Sequence, residues 1–340
     1  MRVLIIGGTR RCGPYLVEEL LNKGHSVVCF HRGQNDVAFS DRAEHIHGDR
    51  RNEAEFQKQM AAVKADAVVD MMAGDDRDVR SVAQAFHGRI QRYVCIGSYE
   101  VYTAFEAAWN RTSSYQPVPI PEDAPKRKWA NLYGHERRYE KLAVEHETMA
   151  AHDRGDFAVT LLRLPALYGP RDPTPREWYY VRQALDGRAQ IAVPNGGQAL
   201  FPRGYLENMA HTVVLALENE RAAGQAYNAA DTESLSLRQI VEMIGDIMGH
   251  HWEIVSVPRE MLPRAQQSQA LPYSCDPYDV EPHLLLDLTK IETELGYCDL
   301  VPIAQAMERT VKWLWDNRPQ ADWLPVDYAA LDEAIRRLKS

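Results

Sequence analysis

An α/β fold with a doubly wound parallel sheet is predicted for this 340-residue chain, on three observations. The opening run Val3-Leu4-Ile5-Ile6 ends at Gly7-Gly8, and Gly13 then opens an amphipathic stretch from Pro14 to Lys23. That order reads as strand, tight turn and helix. Further short apolar runs alternate with helical patterns up to residue 165, as parallel strands covered by helices on both faces do. Beyond Gly169-Pro170 prolines and tryptophans become frequent (Pro173, Pro175, Trp178, Pro194, Pro202) and the pattern loosens, which marks a second lobe.

The first turn carries chemistry. A helix N-terminus presents unpaired N–H groups and a positive dipole end, so a phosphate can sit there. Glycines let the backbone approach a pyrophosphate closely, and the arrangement is that of a Rossmann-type dinucleotide site. A second strand follows, Ser26-Val27-Val28-Cys29-Phe30, with His31-Arg32 where the adenosine ribose should lie. Asp49 closes a His47-Gly48-Asp49 turn, a place for an acid that reads an adenine amine. Ala67–Asp70 and Arg92–Ile96 read as two more buried parallel strands. A long helix is expected from Tyr133 to Ala151, with Gly155 suited to a C-terminal cap, and then a strand from Phe157 to Leu162. Residues 204–230 return to helix and then strand, Ala226-Tyr227-Asn228. The last hundred residues look mostly helical with short strands, ending in Ile303–Trp315 and Tyr328–Leu338. Pro263 to Pro282 reads as a loop over the lobe or cleft, and long loops of that kind are often lids. The expected organisation is a dinucleotide-binding domain over residues 1–170 with a return segment at 204–230. A smaller, mixed α/β substrate-binding lobe takes residues 171–203 and 231–340.

Composition narrows the function. Net charge is −9, which weighs against nucleic acid as a partner, since that needs a basic face. Lys126-Arg127-Lys128 is a tight basic cluster, expected on a solvated loop. The five cysteines are scattered with no C-x-x-C pair, so neither zinc nor a redox pair is indicated and a reducing cytoplasm is the natural reading. Cys29 and Cys95 fall in apolar strands as small core residues. The N-terminal apolar run is short, with no cleavage-type site, and no segment approaches the ~18 apolar residues of a membrane helix. His250-His251 and His146…His152 lack a usual ligand spacing with carboxylates, so no metal site is expected.

Several segments resemble a known family, the extended short-chain dehydrogenases/reductases of the NAD-dependent epimerase/dehydratase type. They are Gly7-Gly8-Thr9…Gly13, Asp49, Ile96-Gly97-Ser98-Tyr99-Glu100-Val101-Tyr102, Lys141-Leu142-Ala143-Val144-Glu145, Arg163…Tyr168-Gly169-Pro170 and Arg203-Gly204-Tyr205-Leu206-Glu207-Asn208. The Gly-Gly-Thr-Arg turn and Val193-Pro194-Asn195-Gly196-Gly197 are similar to an atypical branch that includes chloroplast stem-loop-binding proteins. The resemblance implies an NAD(P)-dependent enzyme that oxidises, reduces, epimerises or dehydrates a small hydroxy- or keto-compound, and a homodimer formed through the helix holding Lys141. It places Gly7, Thr9, Arg10, Cys12, Gly13, His31, Arg32, Asp49, Lys141 and Arg163 at the cofactor. A member of the fold that binds RNA or a partner protein, with a degraded active site, is the alternative.

The departures from the family pattern matter as much. Arg10 replaces the usual middle glycine, and either crowds the turn or points out to grip a phosphate. His31, followed by Arg32, replaces the acid that binds the ribose 2′-hydroxyl. A lost carboxylate and gained arginines favour a 2′-phosphate, hence NADP(H) over NAD(H). The family sets a Tyr four residues before its Lys, so that both face the nicotinamide ribose. Lys141 fits the Lys slot, but Arg137 stands four residues earlier and cannot exchange a proton. The candidates for the proton carrier are Tyr133 (paired with Arg137), Tyr139 and Tyr102, or no tyrosine at all. Tyr139 lies about 200° around a helix from Lys141, so the two share a face only if the helix starts late or is distorted. Ser98 matches the position that hydrogen-bonds the substrate oxygen. Ala166 replaces an Asn that touches the diphosphate of sugar nucleotides, which makes such a substrate doubtful. Arg171, Arg176, Arg182 and Arg203 could grip an anion, and Trp178, Tyr179 and Tyr180 could line an aromatic pocket, as Tyr102 could beside Ser98.

Overall fold

Alternation along the strands decides which helices each core residue meets. The structure, a computed structural model, describes residues 1–35, 42–110, 116–128, 139–262, 283–319 and 325–339. In chain order the first elements are β1 (Arg2–Ile6), α1 (Gly13–Asn22), β2 (Ser26–His31), β3 (Glu44–His47), α2 (Glu53–Ala62), β4 (Ala67–Asp70), α3 (Asp76–Phe86) and β5 (Arg92–Ser98). They continue as α4 (Thr103–Asn110), α5 (Lys141–Asp153), β6 (Ala158–Leu164), β7 (Ala166–Tyr168), α6 (Trp178–Leu185), β8 (Gln190–Pro194), β9 (Arg203–Tyr205), α7 (Leu206–Glu218) and β10 (Gln225–Asn228). The last are α8 (Leu237–Met248), β11 (Glu253–Val257), α9 (Thr289–Leu295), α10 (Ile303–Asp316) and α11 (Tyr328–Lys339).

Seven strands form one parallel sheet in the order β10-β6-β5-β4-β1-β2-β3. Val3 and Ile5 of β1, Val27 and Cys29 of β2 and Val69 of β4 pack on one face with Leu16, Leu20 and the apolar side of α7. Their neighbours Leu4, Ile6, Val28, Phe30 and Val68 pack on the other with Phe56 and Met60 of α2, Val79, Val82 and Phe86 of α3, and Val144 of α5. That period of two is why the strands read as unbroken apolar runs. The strand order reverses between β1 and β4, which makes their carboxyl ends, Ile6 and Asp70, the place where a crevice opens. The later residues pair β11 with β8 and β7 with β9, and α6, α8 and α10 close a second core around Tyr180, Ile191, Ile240 and Leu314. Among the described residues no helix is long and apolar enough to cross a membrane.

Two expectations change, and one strand was not foreseen. The helix expected from Tyr133 begins at Lys141, because Glu140 takes the N-cap with extended backbone and its carboxylate accepts from Leu142 N; residues 129–138 lie outside the described residues. The edge strand β3, Glu-His-Ile-His, has no apolar alternation to announce it. The basic run is not solvated throughout: Arg127 is buried against Glu140 and the Glu100 carbonyl, and Lys126 is half-buried. The stretch Pro263–Pro282 and Cys275 lie outside the described residues.

Candidate functional site

The glycine turn has the shape its residues require. Gly7 and Gly8 take left-handed φ of 100° and 84°. A Cβ on Gly13 would stand 2.4 Å from the backbone of Gly8, so only glycine lets α1 start this close to the strand. No side chain caps α1, and its first turn holds no acid, which leaves the N-terminal N–H groups and dipole for an external anion. Cys12 precedes the helix with its thiol turned inward, and burial pushes that thiol up to about 11. Thr9 is buried beside it, and its hydroxyl accepts from Asn35 Nδ2 at 3.2 Å.

Arg10 points outward, across the mouth of the site. Its Nε and Nη2 donate to Asn35 Oδ1 at 3.0 and 2.8 Å, tying the glycine turn to the loop after β2. Arg32 is exposed on that loop. His31 behaves differently from a phosphate ligand. Its Nδ1 accepts from Gly33 N at 3.1 Å and its Nε2 meets His45 Nδ1 at 2.9 Å, with His47 stacked edge-on. Burial, then the neighbouring imidazoles, pull its pKa below 6.5, so the ring is held neutral. Asp49 lies exposed after β3 and accepts from Arg51 N.

Beneath that edge sits a group that sequence reading missed. Arg50 donates to both carboxylate oxygens of Asp70 at 2.7 and 2.9 Å, reaches Asp78 Oδ1 at 3.3 Å, and Tyr93 adds a hydroxyl to Asp70 at 3.2 Å. Asp70 is fully buried and also accepts from Met72 N. An acid ending a four-residue apolar strand was the available signal; its partner, twenty residues earlier, has no local mark.

Lys141 is buried at the carboxyl ends of β4 and β5, where its Nζ donates to the carbonyls of Ala73 (2.7 Å) and Ile96 (2.8 Å). Burial lowers its pKa. Its Nζ also lies 5.5 Å from the ring of Tyr139. The late helix start therefore brings Tyr139 and Lys141 together. Ser98, two residues after Ile96, is buried and its Oγ accepts from Glu100 N, capping a short 3₁₀ turn. Tyr133 and Arg137 lie outside the described residues.

Four expected ligand contacts are instead buried structural contacts. Arg163 forks onto Glu145 at 2.9 and 2.7 Å and donates to the Tyr102 hydroxyl at 2.7 Å, so its guanidinium faces the protein and not the crevice. The Tyr102 hydroxyl in turn donates to Asn228 Oδ1 at 2.6 Å, and burial raises its phenol pKa above the ordinary range. Arg203 pairs with buried Glu177 and lies 4.0 Å over the ring of Tyr168. Trp178 packs in the second core together with Tyr180. Tyr168 in turn donates to Asp231, whose carboxyl burial raises to about 6. Among the described residues no trio of His, Cys, Asp or Glu is arranged to hold a metal.

The model of the NAD dependent epimerase/dehydratase family matches residues 3–230. The chain belongs to this family. It is 25% identical to the uncharacterized protein YbjS of Escherichia coli over 93% of this chain and 98% of that one. It is 26% identical to 2′-dehydrokanamycin reductase of Streptomyces kanamyceticus, over 76% and 70%. It is also 26% identical to the chloroplast stem-loop binding protein of 41 kDa b of Arabidopsis thaliana, over 67% and 58%. Among solved structures, the dTDP-glucose 4,6-dehydratase DesIV of Streptomyces venezuelae, with NAD bound, superposes with a TM-score of 0.70 at 21% identity, covering 94% and 98%. Epimerase/dehydratase members are enzymes that work with a nicotinamide dinucleotide, and the residues here fit one. The uncapped α1, the Gly13–Gly8 contact and the outward Arg10 are the cradle that such a group needs, at the reversal of strand order.

Proposed function

We propose that this protein is an NADP(H)-preferring oxidoreductase, epimerase or dehydratase that transfers hydride to or from a small hydroxy- or keto-compound. The observation that carries the reading is the meeting of Lys141 with Tyr139 beside the end of β5. When bound, the cofactor supplies or accepts the hydride at C4 of its nicotinamide. Tyr139 gives a proton to the substrate oxygen, or takes it, as the hydride moves. Burial works against the ammonium of Lys141, the carbonyls of Ala73 and Ile96 hold it, and in its charged form it favours the phenolate. Ser98 orients the substrate oxygen from the neighbouring turn. The pyrophosphate rests on the N-terminus of α1 at Gly7, Gly8 and Gly13, and Asp49 reads the adenine. Arg10 and Arg32 supply the charge for a 2′-phosphate, since His31 is held neutral. The inward turn of Arg163 takes it out of the cofactor site.

Calorimetric titration with NADPH, NADP⁺, NADH and NAD⁺ tests the cofactor, and turnover of a panel of dicarbonyls and sugar ketones tests the chemistry. Binding of a pair that Lys141→Ala abolishes supports the reading. No binding by any of the four, in protein freed of co-purified nucleotide, sinks it. The homodimer through α5 belongs to the same reading, and light scattering at twice 38.7 kDa checks it. The likeness to a stem-loop binding protein favours RNA as a second reading, against which the charge of −9 weighs.

A further inference from the structure

Met72 is the most exposed of the large apolar side chains described, at 57%. Its backbone is anchored. Met71 N donates to Ile6 O at 3.0 Å and Met72 N to Asp70 Oδ1 at 2.9 Å, and Asp70 is itself clamped by Arg50 and Tyr93. The exposed side chain does not lie on a random surface. A Cβ on Gly7 would come within 2.6 Å of Met72 Cγ, so the thioether arm lies against the first glycine of the turn. Both residues stand at the carboxyl ends of β1 and β4, where the strand order reverses and a ligand in an open α/β sheet binds. An anchored backbone thus holds an adaptable, polarisable side chain partly against Gly7 and partly out into that crevice.

We propose that Met72 is a wall of the dinucleotide crevice, in van der Waals contact with bound cofactor, and that its oxidation weakens cofactor binding. The inference rests on the dinucleotide reading above. In the oxidation the thioether sulfur loses two electrons as the O–O bond of a hydroperoxide breaks. An S–O bond forms, and the peroxide leaves as water or an alcohol. The product replaces a soft apolar contact with a polar S=O that must be desolvated wherever the cofactor covers it.

The test reads oxidation by peptide mass spectrometry, with hydrogen peroxide as the probe. Met1 serves as an internal reference, being 42% exposed at the opposite end of β1. Saturating NADPH is expected to slow oxidation of Met72 about fivefold or more while Met1 is unaffected. Peroxide treatment is expected to weaken NADPH binding by the wild type about fivefold, reversibly with methionine sulfoxide reductases, and to leave the affinity of Met72→Leu where it was before treatment. If NADPH binds but does not protect Met72, or if peroxide weakens both proteins equally, the inference is overturned while the dinucleotide reading stands. Absence of NADPH and NADH binding to the untreated protein removes both.

Discussion

The ammonium of Lys141 lies 5.5 Å from the ring of Tyr139, although only one residue separates them in the chain. Had the helix run through both, their side chains would point about 200° apart. Glu140 caps the start of the helix between them, and buried Arg127 holds the Glu140 carboxylate. Tyr139→Phe is therefore expected to lower kcat by about 10²–10⁴ with NADPH affinity little changed, the loss typical of a missing general acid. Stopped-flow kinetics separates the two effects. If Tyr133→Phe abolishes turnover and Tyr139→Phe does not, the assignment to Tyr139 is wrong.

Arg10 spans the mouth of the site to Asn35. Arg10→Ala should cut the preference for NADPH over NADH by about tenfold, roughly the value of one charge-assisted contact to phosphate. Paired titrations with 2′,5′-ADP and 5′-AMP isolate the effect to the 2′-phosphate. Equal losses for both nucleotides would mean that Arg10 only braces the turn.

Glu145→Ala should destabilise the protein by about 3–5 kcal/mol, since it strands the buried guanidinium of Arg163. The double variant with Arg163→Met should recover most of that loss. Urea midpoints of the three variants measure it, and a loss under about 1 kcal/mol would show that water reaches the pair.

Lys126 titrates at about 8, pulled down first by burial and then by Arg163, against 10.5 for an ordinary lysine. Between those two values the unfolded chain binds more protons than the folded one. Stability relative to Lys126→Met should therefore rise as pH climbs from 8 to 10.5. Reductive ¹³C-methylation and NMR titration read the midpoint directly, and a midpoint near 10.5 contradicts the burial argument.

The sheet and the glycine turn were legible because both depend on local pattern. Ala67–Asp70 was delimited to the residue by four buried positions in a row. The fate of the charged residues was not legible. Arg163, Arg203 and Arg127 are each matched to a carboxylate 13 to 26 positions away, and nothing in the sequence pairs Arg163 with Glu145 or Arg203 with Glu177. An arginine beside a family motif looks available for a ligand until its partner is seen. The strand β3 escaped for the opposite reason, since an edge strand need not be apolar. The contact between Tyr139 and Lys141 depends on one N-cap, a boundary that helical periodicity cannot fix.

The seventh strand of the sheet, β10, pairs with β6 but follows it by some sixty residues of chain that build β7, α6, β8, β9 and α7. The outer hydrogen-bonding edge of β6 is therefore covered only by residues made well after it. A chain cut between the two strands would leave that edge open to pairing with neighbouring chains.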